Sequence, residues 1–421
     1  MKPNVFLTIV MSVLMLTGCR DETPTAPKTG TPKMATSKTE STFKYNLEFL
    51  KKYNDVIVLS DSTGKGRIAV MPALQGRVMT STAAGAEGLS FGWINHKLFA
   101  SGEKQEHIHA FGGEDRFWIG PEGGQFSIFF KKGDPFDFEH WHTPAQIDTI
   151  PFDVASKTEN QAVFRKDMEL TNYSGITLKL RVDREIRVLD REDAADLLGV
   201  KPASIVNMVT YQSKNMMTNT GDNAWQKETG LLSIWILGMY NPSPTTTVVA
   251  PFNTGPEAEL GPIVNDVYFG KISADRLVVK DGSIFFKGDG QSRGKIGLSP
   301  ARAKNILGSY DPANQALTIV QYDKPEGATD YVNSLWEIHD EPYKGDVVNS
   351  YNDGPPEPGA DQLGPFYELE SSSPAAALKP GETITHIHRT FHLQGPEADL
   401  DAIAEKTLGV TIEQIKSAFA K

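Results

Sequence analysis

The sequence has one cysteine in 421 residues. A lone thiol excludes an intramolecular disulfide, so the fold rests on its core and hydrogen bonds. Long runs of Lys and Arg are also missing, and the net charge is −11. This leaves no electrostatic footprint for nucleic acid and disfavours wrapping a polyanion, although a local basic pocket for a carboxylated sugar is still allowed. Helical spacing of apolar residues is scarce until the C-terminal end, which argues against a helical bundle. Two familiar signatures are incomplete. Gly88-Leu-Ser90-Phe-Gly92 has nucleophile-elbow spacing but sits among strand signals, not at a strand-to-helix turn. Gly294-Lys295 lacks the earlier glycine of a phosphate loop, where Asp289 stands, and Ile296 replaces its Ser/Thr.

What is present begins with a leader. Residues 1–18 carry Lys2, an apolar run from Val5 to Leu16 and small residues before Cys19. The pattern is that of a secretory signal, and the run is shorter than the about 20 residues that span a bilayer. Leu16-Thr17-Gly18-Cys19 resembles the bacterial lipobox, which makes Cys19 the lipidation site and the N-terminal anchor to the membrane. Arg20-Asp21-Glu22 is similar to a short tag for surface exposure. The expected location is therefore the cell envelope, lipid-anchored at the outer membrane, with both a surface-facing and a periplasm-facing anchor left open by the sequence. Residues 19–42 are rich in Thr, Pro, Ser and Lys with little to bury, and read as a disordered tether. Residues 43–421 read as one domain, with helices from about residue 396.

Within that domain strand signals dominate. Ile176 to Val182 alternates apolar and polar residues, and pairs with Ala162 to Leu170 across the turn Asn172–Gly175. Strand-like runs recur at Asp55–Leu59, Arg67–Met71, Ser127–Phe130, Ser233–Leu237, Arg276–Val279, Ala316–Val320 and His386–His392. Many short strands between Gly, Pro, Asn and Asp clusters predict an all-β fold, a large antiparallel sandwich. Glu397–Thr407 and Thr411–Phe419 are predicted helices, with Thr411 as a cap. Asn349 to Gly354, NSYNDG, reads first as a turn.

The polar residues concentrate. His107-Ile-His109, His140-Trp-His142 and His386-Ile-His388 are three His-x-His triplets. On a strand, positions i and i+2 share a face, so each triplet presents two imidazoles together, as a metal or an acid/base pair requires. A full ligand set does not assemble from the sequence, so no cofactor is required and a divalent metal is disfavoured. Glu368 and Glu370 fall on one face of an expected strand. Like charges that close raise at least one pKa when partly buried, which suits a general base. Trp118 and Trp141 sit among polar residues and are expected to stack on sugar rings. Glu114, Asp115, Arg116 and Arg293, with His140, His142, His386 and His388, complete the expected substrate-binding set.

Several short motifs resemble those of the galactose-mutarotase-like sandwiches, the aldose epimerase superfamily. Gly76-Arg77-Val78 looks like an early strand of that superfamily. His109-Ala-Phe-Gly112-Gly113 with Arg116-Phe-Trp118 is similar to its His-Gly-Gly stretch, and Thr218-Asn219-Thr220-Gly221 to its Asn-Thr-Gly turn. GGEDRFWIGPEGGQFSIFF and GPFYELESSSPA resemble domains of unknown function in lipoproteins of Bacteroidetes. The resemblance implies a mutarotase-like β-sandwich, with Glu370 or Glu368 as the base. It departs at Gly230–Pro242, which holds no histidine where the superfamily places its acid, so His107, His109 or a third-triplet histidine is expected to supply it. The implied function is acid/base chemistry on a sugar or oligosaccharide (mutarotase, epimerase or lyase type) in glycan utilisation, beside other glycan-utilisation proteins. Two alternatives stand: a non-catalytic surface glycan-binding lipoprotein, and a metal-dependent hydrolase built on the triplets.

Overall fold

The computed structural model describes residues 41–420; the leader, Cys19 and the tether up to residue 40 lie outside the described residues. Two antiparallel sheets, one of ten strands and one of five, carry most of the chain, with a third sheet of three strands beside them. The expected hairpin is present. Gln161–Thr171 pairs with Thr177–Leu189, and Gly175 closes the turn at φ 88°, a left-handed conformation that a side chain disfavours. These strands continue through Asn207–Asn219 to Thr383–Gln394, which forms the middle of the ten-stranded sheet.

Period-two alternation gives this sheet one buried apolar face, and a second apolar patch lies on the outer face under the C-terminal helices. Leu180, Val182, Ile186 and Tyr211 point inward and pack with Phe117, Ile234 and Ile236 of the five-stranded sheet. The C-terminal helix Glu397–Leu408 and the short helix Ile412–Lys416 cover part of the outer face, burying Leu400, Ile403, Leu408 and Ile415 against Val249, Leu317 and Phe391. Each such burial stabilises by about 1.5–3 kcal/mol. Thr411 caps the second helix, accepting from the Gln414 N–H while the Gln414 side chain returns to the Thr411 N–H.

The structure differs from expectation in local places. Unexpected helices form, the longest being Phe43–Leu50, capped by Thr42, and Arg191–Leu198, whose first turn holds Glu192 and Asp193 at the positive end of the helix dipole. Ser127–Phe130 is not a strand. Its three apolar side chains are buried through a series of bends, where Phe129 stacks on Trp141. Asn349–Gly354 is not a turn: Val348–Asn352 is a buried inner strand of the five-stranded sheet.

Candidate active site

The five-stranded sheet runs in the order Gly294–Leu298, Val348–Asn352, Tyr367–Ser372, Ser233–Tyr240, Arg116–Gly120. Directly opposed residues share a face. In one row Arg116 opposes Leu237, which opposes Glu370, then Asn349 and Gly297. In the next, Met239, Glu368, Tyr351 and Lys295 line up, and Trp118 opposes Trp235. The alternate residues Phe117, Ile236, Leu369 and Ile296 turn into the core between the sheets. One face of this sheet is thus apolar, and the other carries charge and tryptophan.

Lys295 Nζ donates to Glu370 Oε2 at 2.9 Å, and the Trp235 indole N–H donates to the same oxygen at 2.9 Å. The Lys295 ammonium also lies 4.7 Å from the centroid of the Trp235 ring. Burial acts against its charge, yet the carboxylates of Glu370 and Glu122 outweigh that and hold it above its ordinary value. Glu368 takes one contact, from Arg116 Nη2 at 3.3 Å. Burial pushes its carboxyl up to about 8; Arg116 opposes the shift and the like charge of Glu370 adds to it. The two glutamates therefore differ in partner, and Glu368 holds its proton at neutral pH.

A third carboxylate joins them. Glu122 follows the turn at Gly120-Pro121, accepts from the Trp336 indole at 3.1 Å, and is raised by burial, with Lys295, Glu370 and Arg116 all close enough to act on it. Aromatic rings wall the cluster: the Arg116 guanidinium sits 4.2 Å from the Trp118 ring centroid, and Trp118 meets Trp235 edge-on at 5.5 Å and Trp141 at 6.4 Å. At the opposite edge Tyr268 donates to Asp346 at 2.5 Å, and Phe269 lies under the Arg293 guanidinium at 3.9 Å. Gly297 is required there, because a Cβ would overlap the Asp346 carboxylate. Asp353, raised by its burial, accepts from Tyr351 at 2.6 Å and from the Gly364 N–H at 2.9 Å.

Of the residues expected from the sequence, Glu368, Glu370, Arg116 and Trp118 meet on this face, Trp141 borders Trp118, and Arg293 stands exposed at the rim. The others lie elsewhere. Glu114 is fully buried on the core side, where it accepts from the Ser81 N–H, from Tyr211 and from His392. Asp115 is locked to Arg184, both without exposure. These two carboxylates hold the fold and do not reach a ligand.

No histidine is among the hydrogen-bond or ion-pair partners of either glutamate. His386 and His388 hydrogen-bond Ser371 Oγ at 2.8 Å each, inside the core, and Ser371 faces away from Glu370 on the same strand. Burial lowers their pKa values to about 3 and about 4, so neither is a proton donor at neutral pH. His109 is occupied at both nitrogens, by Asp148 at 2.7 Å and by the Gln105 N–H at 3.0 Å. His107 bonds the Trp141 carbonyl, stacks on His142 and meets Phe138 at a tilt, while His140 pairs with exposed Asp137. The acid expected from a triplet is therefore not placed at the glutamates. Among the described residues, no three His, Cys, Asp or Glu side chains are arranged to hold a metal ion.

Sequence reasoning missed Glu122, Trp235, Tyr268, Asp346 and Asp353. It met Lys295 within an incomplete phosphate-loop signature. Alternation through Tyr367–Ser372 was the usable signal for the glutamates. The partners come from strands far away in the chain, and nothing in the sequence announces them.

The described chain is similar to a solved structure titled as a putative aldose 1-epimerase from Escherichia coli K12, at 12% identity and a TM-score of 0.47, covering 80% of this chain and 98% of that one. It is also similar to a galactose mutarotase-like protein from Lactobacillus casei ATCC 334, at 12% identity and a TM-score of 0.45, covering 80% of this chain and 100% of that one. Among curated proteins none matches this sequence. Residues 41–419 match the family of unknown function DUF6786, and the chain belongs to that family.

Proposed function

We propose that the protein acts on a carbohydrate by acid/base chemistry at Glu368 and Glu370. The observation that carries this reading is the pairing of two buried carboxylates on one strand, one protonated at neutral pH and one bound to a lysine, inside a wall of tryptophans. Two titratable groups whose surroundings separate their states are the usual arrangement of an acid with a base. Glu370 keeps Oε1 free of protein partners while Lys295 and Trp235 hold Oε2, so Oε1 is the atom that takes a proton from a sugar hydroxyl or carbon. Glu368, protonated, gives one to the ring oxygen or leaving oxygen. Arg116 and Trp118 position the sugar. The reaction class is mutarotation, epimerisation or elimination, and Glu368 takes the role that a histidine was expected to fill. The motif resemblance to aldose epimerases supports the same substrate class.

Export and lipid attachment through Cys19 would set this chemistry at the cell envelope, where glycans are met. The second reading, a glycan-binding protein without turnover, needs no proton transfer at the glutamates, of which Glu370 is 0% and Glu368 5% exposed. Nuclear magnetic resonance of the full chain with reducing sugars separates the two. Accelerated anomer exchange or new unsaturated-sugar signals are expected; saturation transfer without any change of the sugar would leave a binding protein.

A further inference from the structure

Four donor nitrogens beside the glutamates have no acceptor within the protein: Nε and Nη1 of Arg116, and the indole nitrogens of Trp118 and Trp141. Their side chains are deeply buried, with residue exposures of 3%, 4% and 6%. The three side chains are neighbours: the guanidinium lies on the Trp118 ring and Trp118 borders Trp141. A buried donor left without an acceptor is costly, because it has given up its hydrogen bonds to water and gained none in return. Four in one patch are a persistent expense of stability unless something meets them.

The patch is also one-sided. Arg and Trp side chains donate and cannot accept. A sugar hydroxyl does both and is matched by a mixed set of partners, whereas a donor-only set matches a group that only accepts. Glu368 does not meet this demand: its one contact, at 3.3 Å, is longer than the about 2.7–2.9 Å of a good charge-assisted hydrogen bond. Glu368 occupies only Nη2 of Arg116 and Glu370 is held by Lys295, so Nε and Nη1 of the guanidinium are left over.

The geometry points to a substrate that carries an anionic oxygen substituent, a carboxylate or a sulfate ester, seated on Arg116, Trp118 and Trp141. This rests on the carbohydrate reading above and narrows it to acidic glycans. The substituent accepts from the guanidinium and the two indoles, which leaves Glu370 Oε1 to meet a neighbouring hydroxyl. The protein's acidity does not oppose this, because the attraction is local and desolvated.

The test uses the full chain and calorimetric titration with three matched oligosaccharides: neutral, uronic-acid-containing and sulfated. The acidic member is expected to bind at least about tenfold tighter than the neutral one, and whether the carboxylate or the sulfate does so identifies the group. Arg116→Gln should erase that preference. Trp118→Phe keeps a ring in place and removes one donor, so it should cut the ratio of acidic to neutral affinity several-fold, and an unchanged melting curve guards against a variant that merely misfolds. Equal affinity for neutral and acidic sugars, or an acidic preference that survives both variants, would overturn the proposal while leaving the carbohydrate reading intact. No binding by any of the three would overturn both.

Discussion

Lys295 reaches over the strand Val348–Asn352 to bind Glu370 on the strand beyond it, at 2.9 Å. Neither group has a reason to be buried alone. The charge pair, not either residue, is the unit on which the site is built, and breaking it is expected to be worse than removing it whole.

Lys295→Met leaves a buried carboxylate uncompensated, and a loss of about 3–5 kcal/mol is expected. Lys295→Met with Glu370→Gln should recover part of that. Urea denaturation of the wild type and the two variants measures it; a double variant no more stable than Lys295→Met would count against the pair.

Glu370→Gln keeps the shape of the side chain and the Trp235 hydrogen bond but cannot accept a proton. Turnover should fall by about 10²–10⁴, with sugar affinity changed little. A variant that loses affinity and never had turnover to lose would instead favour the binding protein.

Glu368 makes stability depend on pH with a definite sign. Its carboxyl is raised to about 8 in the fold from an ordinary 4.5. The native state therefore holds a proton that the unfolded chain releases, and the stability this gives is full below about 4.5 and is lost as pH rises toward 8. Melting temperatures across this range should decline in the wild type and decline less in Glu368→Gln. Parallel curves for the two proteins would remove Glu368 as the cause.

His388→Ala is expected to destabilise by about 1–3 kcal/mol through the lost hydrogen bond to Ser371, while the kcat measured below the melting transition stays near that of the wild type. His109→Gln should likewise spare kcat. A large fall in kcat for a well-folded His109 variant would return that histidine to the chemistry.

Cys19→Ser should release the protein from the membrane fraction and abolish incorporation of a labelled fatty acid. Retention in the membrane pellet with no label in the wild type would sink the anchor assignment.

The sandwich was legible because alternation is a local property. Ile176–Val182 shows it outright, and the helix over Glu397–Leu408 announces itself by its spacing and by Gly409. The glutamates could be found for the same reason. Their surroundings could not. Glu370 meets Lys295 across 75 residues, and Glu114 meets His392 across 278. Acidic residues next to glycines look like a ligand rim from sequence, and only long-range partners turned Glu114 and Asp115 into core groups. NSYNDG misled for the opposite reason: its turn-forming residues are strand residues here because both faces of that strand offer polar partners, Tyr268 to Asn349 and the Glu368 carbonyl to Ser350.

The serine behind the glutamates sets the register of their strand. A slip of Tyr367–Ser372 by one residue would turn Leu369 and Ser371 outward and drive both carboxylates into the core. Ser371, gripped by His386 and His388, fixes that register from the far side. The third histidine pair thus serves the site as an indexing pin, deciding which way the glutamates face.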